Sequence, residues 1–95
     1  MKNEDQIEAV IIYSRESCAW CKRAKQMMDY WSVFYYEVDI DKTPGARDEM
    51  IKKTIAVGGD PGEIPVMEYK GKTIVGFKHQ QMLDLFPLLD PNEKD

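Results

Sequence analysis

The spacing of apolar residues along the chain predicts strands and helices in alternation. Positions 7–13 are rich in β-branched residues and mostly apolar, which is typical of a strand covered on both faces and therefore central in its sheet. A helix of about 13 residues follows, because apolar residues recur at helical spacing with polar ones between them. Its inward stripe begins at Cys21 and continues through Ala24, Met28 and Trp31.

The next segment predicts a second strand beside the first. Apolar residues alternate there with more polar ones, at Phe34, Tyr36, Val38 and Ile40. A strand, a helix and a strand in this order imply a right-handed crossover, so the two strands should pair in parallel.

A second helix and a breaker-rich loop come next. Thr43 followed by Pro44 is typical of an N-cap and a first-turn residue. The apolar positions of this helix are Ala46, Met50, Ile51 and Ile55. Glycine and proline at 57–62 then end the helix in an extended loop.

Two short apolar segments, 66–69 and 73–75, flank Lys70-Gly71-Lys72. This arrangement indicates a β-hairpin, and an antiparallel hairpin beside a parallel pair makes the sheet mixed. The sequence therefore predicts an α/β fold with four strands in a mixed sheet and flanking helices.

The last helix is expected to start near Lys78 or His79, and Pro87 discourages its continuation. Its apolar residues are Met82, Leu83, Leu85 and Phe86. We expect all 95 residues to form one domain, with a core at about 7–89 and a polar tail at 90–95.

Composition excludes several classes of function. A net charge of −4 provides no basic field for nucleic acid, and no apolar run approaches the roughly 20 residues that cross a membrane. The first five residues include two acidic ones where a signal peptide has a basic and then an apolar region. We therefore expect a cytoplasmic protein in a reducing compartment, monomeric and without nucleic-acid or membrane partners.

The chemistry of the chain centres on its only two cysteines, Cys18 and Cys21. They lie where the first strand gives way to the first helix, so unpaired N–H groups and the positive end of the helix dipole stabilise the first sulfur as a thiolate. Two thiols three positions apart can also close a disulfide with little backbone movement. Cys18 is thus the expected nucleophile and Cys21 its resolving partner.

Other uses of this cysteine pair are weaker hypotheses. A structural disulfide is disfavoured because so short a loop gains least from closure, and because the compartment is expected to be reducing. A zinc site needs two more ligands, and only His79 and carboxylates remain in the sequence. No metal ligands are therefore assigned.

The element order, with CxxC after the first strand and an apolar residue and proline opening the third, resembles the thioredoxin fold. Residues 12–25 are similar to the strand, basic residue, CPYC-type motif and helix start of glutaredoxins. Further segments stand in family order, so the resemblance covers residues 8–86: Val38-Asp39-Ile40-Asp41, Glu49-Met50-Ile51-Lys52-Lys53, Ile64-Pro65-Val66 and Val75-Gly76.

The resemblance implies roles for residues around the dithiol. Pro65 should follow a cis peptide bond beside the cysteines, and the backbone of Ile64 should pair with the substrate next to its sulfur. Arg15 matches the basic residue that receives a glutathione carboxylate, and Trp20 matches the aromatic residue that walls the groove. Glutathione is then a co-substrate, and no tightly bound cofactor is expected.

Three departures from the family pattern bear on function. Ala19 replaces a frequent proline, and the loop at 54–63 is longer than usual. The acidic pair that holds the glutathione amino group in many glutaredoxins is here Lys78-His79. The segment Gly76-Phe77-Lys78 instead resembles redoxins of the NrdH type, which thioredoxin reductase reduces.

The sequence thus predicts a glutaredoxin-like oxidoreductase that reduces protein or glutathione mixed disulfides through Cys18 and Cys21. The alternative is an NrdH-like donor of electrons to ribonucleotide reductase, served by thioredoxin reductase. A weaker alternative, implied by the resemblance, is an iron–sulfur cluster shared between two subunits through Cys18, with which the intramolecular disulfide to Cys21 competes.

Overall fold

The computed structural model describes residues 9–86, which form a mixed sheet of four strands. In spatial order these are β2, β1, β3 and β4. β1 pairs in parallel with β2 and antiparallel with β3, and β3 pairs antiparallel with β4. The strands are β1 (Val10–Ser14), β2 (Tyr35–Asp39), β3 (Val66–Tyr69) and β4 (Lys72–Val75). The predicted central position of the first strand is confirmed.

Three helices cover the two faces of the sheet within the described residues. They are α1 (Ala19–Tyr30), α2 (Ala46–Ala56) and α3 (His79–Leu85). α1 and α3 pack against one face, and α2 packs against the other. The predicted thioredoxin-like α/β architecture is confirmed. The predictions for positions 7–8, for Pro87 and for the tail at 90–95 lie outside the described residues.

The core divides into two clusters, one on each face of the sheet. On the first face Met28 of α1 and Met82 of α3 pack against Ile12, and all three side chains are fully buried. On the second face Met50 of α2 packs against Val66. Flexible methionine side chains fill these irregular layers between helix and sheet. Buried residues of the predicted helical stripes therefore pack the three helices against the sheet.

The start of α2 differs from the prediction. The helix begins at Ala46 rather than at Thr43 and Pro44, and Gly45 precedes it in a left-handed conformation with φ of 80°. Thr43 belongs to the turn that leaves β2, because its amide donates to the Asp39 carbonyl at 2.9 Å. The N-cap residue of the helix is Gly45, which makes no side-chain capping hydrogen bond. The Thr43-Pro44 dipeptide, a favourable helix-capping sequence, therefore lies in the turn that precedes the helix.

In β2 and α2, the burial of several residues also differs from what the apolar pattern of the sequence suggests. Phe34 and Tyr36, which belong to the apolar positions of the alternation, are 62% and 71% exposed, because α2 covers only the later part of this strand. Tyr35 instead packs against the first cluster. On α2, Ile55 is 59% exposed, whereas Thr54 is fully buried. Thr54 tolerates burial because its hydroxyl donates to the Met50 carbonyl at 2.9 Å.

The predicted hairpin joins β3 to β4 through two residues, Lys70 and Gly71. Both have positive φ, 51° and 81° respectively. Two-residue turns with positive φ at both positions match the twist of the flanking strands, and glycine adopts this conformation without steric cost. The hairpin places Gly76 and the start of α3 beside the dithiol end of the sheet.

Candidate active site

The two cysteines lie where β1 passes into α1. Cys18 is the N-cap residue of α1 in an extended conformation, and its Sγ accepts a hydrogen bond from the Cys21 amide at 3.0 Å. The two residues form a disulfide with their Cα atoms 5.2 Å apart. The dithiol thus occupies the helix start that the sequence predicted, and this amide stabilises negative charge on the Cys18 sulfur.

The two sulfurs differ in accessibility. Cys18 is partly exposed, whereas Cys21 is only 1% exposed and lies on the inner side of α1. An incoming disulfide can reach the first residue but not the second. The accessible sulfur is also the one at the helix start, and the roles of nucleophile and resolving thiol stay predictions.

An aromatic wall stands next to Cys18. Trp20 is 59% exposed, and its ring stacks on that of Phe77, with 5.4 Å between the ring centroids and 25° between the planes. Together with Glu63 and Ile64, these rings line an open cavity of about 200 Å³, which we call the Trp20 cavity. Trp20, Ile64 and Phe77, predicted separately from the sequence, are therefore brought together.

Ile64 and Pro65 open β3 at the same place. Their peptide bond is cis, as the resemblance implied, and Pro65 is buried, with its carbonyl accepting a hydrogen bond from the Gly76 amide at 2.7 Å. Within residues 9–86, the backbone N–H and C=O of Ile64 have no backbone partner. An extended substrate backbone could pair with these groups as an added strand does.

The backbone of Arg15 bonds to the dithiol turn, and its side chain forms an ion pair with an acidic residue. Its carbonyl accepts the Cys18 amide at 3.2 Å, and its Nε donates to Asp41 Oδ2 at 3.1 Å. The other oxygen of Asp41 accepts from Arg47 Nη2 at 2.6 Å. One carboxylate therefore orients two guanidinium groups, and the predicted anion-binding role of Arg15 comes with a partner that the sequence did not indicate.

Lys78 also has an acidic partner, Glu63. Its ammonium group donates to the Val75 carbonyl at 2.5 Å and to Glu63 Oε2 at 3.4 Å. Both side chains lie over Gly76, whose φ is 85° and where an added Cβ would collide with the Glu63 carboxylate. Sequence reasoning did not single out Glu63. Its position directly before Ile64-Pro65, in a loop of unusual length, was the available signal.

His79 lies farther along the same edge. The side chain is exposed, and its ring centroid is 5.5 Å from that of Trp31 and 6.4 Å from that of Phe77. It does not line the Trp20 cavity. A substrate-binding role for His79 stays a prediction.

A third charged pair lies on the sheet beneath α1. Glu37 Oε2 accepts from Lys25 Nζ at 2.6 Å and from the hydroxyl of the fully buried Ser14 at 2.7 Å. These hydrogen bonds, that from Lys25 foremost, hold the pKa of Glu37 below its ordinary value, against the opposing effect of burial. The network ties α1 to β1 and β2 below the dithiol.

The described part of the chain contains no cluster of three or more His, Cys, Asp or Glu residues arranged to hold a metal ion. None of its helices is long and apolar enough to cross a membrane.

Comparisons with known proteins point in the same direction. A family model described as Glutaredoxin matches residues 10–74. Over 45 residues the chain is 40% identical to Glutaredoxin 3 of Escherichia coli K12, an alignment that covers 47% of this chain and 54% of that protein. The chain thus spans about half the length of this curated relative.

Two longer matches cover most of the chain. An uncharacterized glutaredoxin-like 8.6 kDa protein in the rubredoxin operon of Clostridium pasteurianum is 28% identical over 71 residues, covering 75% of this chain and 88% of that protein. The crystal structure of a glutaredoxin from Archaeoglobus fulgidus superposes with a TM-score of 0.66 at 24% identity, covering 85% of this chain and 88% of that one. This structural likeness shows the fold.

Proposed function

Because the chain belongs to the glutaredoxin family, we propose that it is a dithiol oxidoreductase that reduces protein disulfides and glutathione mixed disulfides. The observation that carries the proposal is the inequality of the two sulfurs. Cys18 is accessible at the N-cap of α1, where it accepts the Cys21 amide, and Cys21 is buried behind it. This is the arrangement that one attacking and one resolving thiol require.

The reaction proceeds in two exchanges. The Cys18 thiolate attacks one sulfur of the substrate disulfide, whose S–S bond breaks, and the departing thiolate takes up a proton. Cys21 then loses its proton and attacks Cys18, which releases the second substrate thiol and forms the Cys18–Cys21 disulfide. Two electrons pass from the protein to the substrate. The protein disulfide is the species present in the structure.

We propose glutathione as the reductant that restores the two thiols. Two molecules supply the two electrons and leave as glutathione disulfide. Arg15 supports this choice because a guanidinium fork suits a carboxylate, and the unpaired backbone groups of Ile64 suit the peptide part of the tripeptide. A reducing cytoplasm, which we propose as the location, supplies glutathione in excess.

One observation favours a second function, that of an NrdH-like redoxin reduced by thioredoxin reductase. Lys78 follows Gly76 and Phe77, and its ammonium group lies over Gly76, close to where the family pattern places carboxylates for glutathione. A cation in that position disfavours the amino group of the tripeptide by like-charge repulsion.

Recycling of the oxidised protein distinguishes the two functions. NADPH oxidation is followed with glutathione and glutathione reductase in one assay and with thioredoxin reductase in the other. We expect turnover in the first assay. Turnover with thioredoxin reductase alone would establish the NrdH-like function instead, and absence of both would overturn the oxidoreductase proposal.

A further inference from the structure

The Trp20 cavity contains an acidic side chain that no part of the disulfide exchange uses. Its lining consists of Trp20, Glu63, Ile64 and Phe77, of which only Glu63 is charged. Two aromatic rings and an aliphatic chain form the rest of the wall. A substrate group that enters this cavity therefore meets one acidic residue on an otherwise apolar wall.

The position of Glu63 is fixed by the long loop before β3. The Glu63 amide donates to the Asp60 carbonyl at 3.0 Å, and Asp60 Oδ1 accepts the Gly62 amide at 2.9 Å. Gly59 packs the loop tightly against β4, since a Cβ at this residue would lie 2.9 Å from Val75 Cγ2. These contacts hold the loop that carries Glu63 to the wall of the cavity.

Lys78 forms an ion pair with the Glu63 carboxylate but does not itself line the cavity. Its ammonium group turns back to the Val75 carbonyl at 2.5 Å and reaches Glu63 through Oε2 at 3.4 Å, and Lys78 does not line the cavity. The negative member of the ion pair consequently faces an incoming substrate, and the positive member lies behind it. Electrostatic attraction at an apolar wall is stronger than in open solvent.

We infer that Glu63 is a specificity-determining residue, which makes the dithiol prefer disulfides with a positively charged group next to the sulfur. This inference rests on the proposed function and adds the charge class of the substrate. The step itself is unchanged: the reduced protein loses two electrons and two protons to the disulfide, which leaves as two thiols. A carboxylate-bearing disulfide should react more slowly for the same reason.

Three small disulfides of different charge test the inference directly. They are cystamine, which carries ammonium groups, bis(2-hydroxyethyl) disulfide, which is neutral, and 3,3′-dithiodipropionate, which carries carboxylates. Single-turnover oxidation of the reduced protein by each gives a rate constant without any reductase. For the wild-type protein we expect cystamine to react faster than dithiodipropionate, with a ratio that decreases at high salt.

Two variants and a matched control locate the effect. Glu63→Gln should lower the ratio of the cystamine rate to the dithiodipropionate rate about fivefold, whereas Lys78→Met should raise it. Glu49→Gln removes the same charge from the exposed side of α2 and should leave the ratio within about twofold. The neutral disulfide carries no charge for Glu63 to attract, so its rate serves as the reference for each variant, and it should respond little to Glu49→Gln.

The inference is overturned if Glu63→Gln leaves the ratio unchanged, including the case in which all three rates fall together. An equal drop in Glu49→Gln would also overturn it, because the cause would then be net charge. The proposed function has a separate readout, which is catalytic turnover of the neutral disulfide with glutathione and glutathione reductase. Failure of turnover with an intact charge ratio would remove the proposed function and keep the selectivity of the dithiol.

Discussion

Arg15 and Lys78 are the two basic residues predicted from the sequence to lie near the dithiol, and their side chains have different partners in the structure. Arg15 shares the Asp41 carboxylate with Arg47, so two positive groups face one negative group. Lys78 divides its donors between a backbone carbonyl and Glu63, and it is Glu63 that lines the Trp20 cavity. The first arrangement leaves a positive excess, whereas in the second a single acidic residue, paired with Lys78, lines the cavity.

This difference shows that the charge presented to a substrate depends on the acidic partner of each basic side chain as much as on the basic side chain itself. All these side chains are partly exposed, so the ion pairs contribute little to folding stability. They hold charged groups in place instead. One end of the groove therefore holds Arg15 with a positive excess, and the other end holds the Lys78–Glu63 pair.

The largest effect should come from the cysteine between these two ends. Cys18→Ser should abolish disulfide exchange, because it removes the accessible thiol. Cys21→Ser should leave a protein that traps mixed disulfides on Cys18 and retains activity toward glutathionylated substrates, where external glutathione replaces the resolving thiol. Mass spectrometry of the trapped adducts checks both. Faster alkylation of Cys21 than of Cys18 at mildly acidic pH would contradict the role assignment.

The positive end can be tested with Arg15. Arg15→Gln should raise the KM for glutathione about tenfold, because a charge-assisted hydrogen bond to the substrate carboxylate is lost. Arg15→Lys keeps the charge but loses the planar fork, and should give an intermediate KM. Steady-state kinetics over a range of glutathione concentrations measures both. An unchanged KM in Arg15→Gln would mean that Asp41 keeps the guanidinium from the substrate.

The end that holds Lys78 and Glu63 should respond in the opposite direction. Replacing both Lys78 and His79 by aspartate should lower the KM for glutathione several-fold, because a like charge near the substrate ammonium is replaced by carboxylates. The alkylation rate of Cys18 should stay nearly unchanged. Lys52→Asp, on the exposed side of α2, provides a control for net charge. An unaltered KM in the double variant would favour thioredoxin reductase as the physiological partner.

The sequence predicted what depends on local pattern. The central β1, the inward methionines of the helices and the two-residue hairpin follow from periodicity and turn chemistry. Its misses depend on contacts between distant segments. Thr43 is a good N-cap residue, but the turn after β2 uses it first. Phe34 reads as an inward residue, but α2 does not extend over it.

The candidate site shows the same division. The dithiol follows from two cysteines at a helix start, and the cis bond before Pro65 followed from the family resemblance. Glu63 escaped notice because its meaning depends on Lys78, fifteen residues later and on the far side of a hairpin. A local sequence pattern does not predict where a long loop places a carboxylate relative to distant residues. Charged partners of this kind have to be read from the structure.

The smallest expected effect is on folding stability and concerns Lys25 and Glu37, an ion pair outside the groove. This pair tests whether charged residues that support the fold act separately from those that orient the substrate. The pKa of Glu37 is held below its ordinary value of 4.5 by hydrogen bonds from Lys25 and Ser14, despite burial and the neighbouring charge of Asp39. A carboxylate whose pKa is lowered by folding stabilises the native state above its unfolded pKa, and this contribution is lost as the pH falls through the folded pKa.

Glu37→Gln should therefore lower the melting temperature at neutral pH, by an amount that corresponds to no more than about 1 kcal/mol for a partly exposed pair. The difference from wild type should shrink as the pH falls below 4.5, because Glu37 takes up a proton there in the unfolded chain, whereas native Glu37 is protonated only at lower pH. Thermal melts at several pH values measure this, and Glu49→Gln is the matched control. The charge selectivity toward small disulfides should be unchanged, because Glu37 does not line the Trp20 cavity. A change in that selectivity would show that charges on the sheet reach the groove and would remove the distinction between groove pairs and supporting pairs.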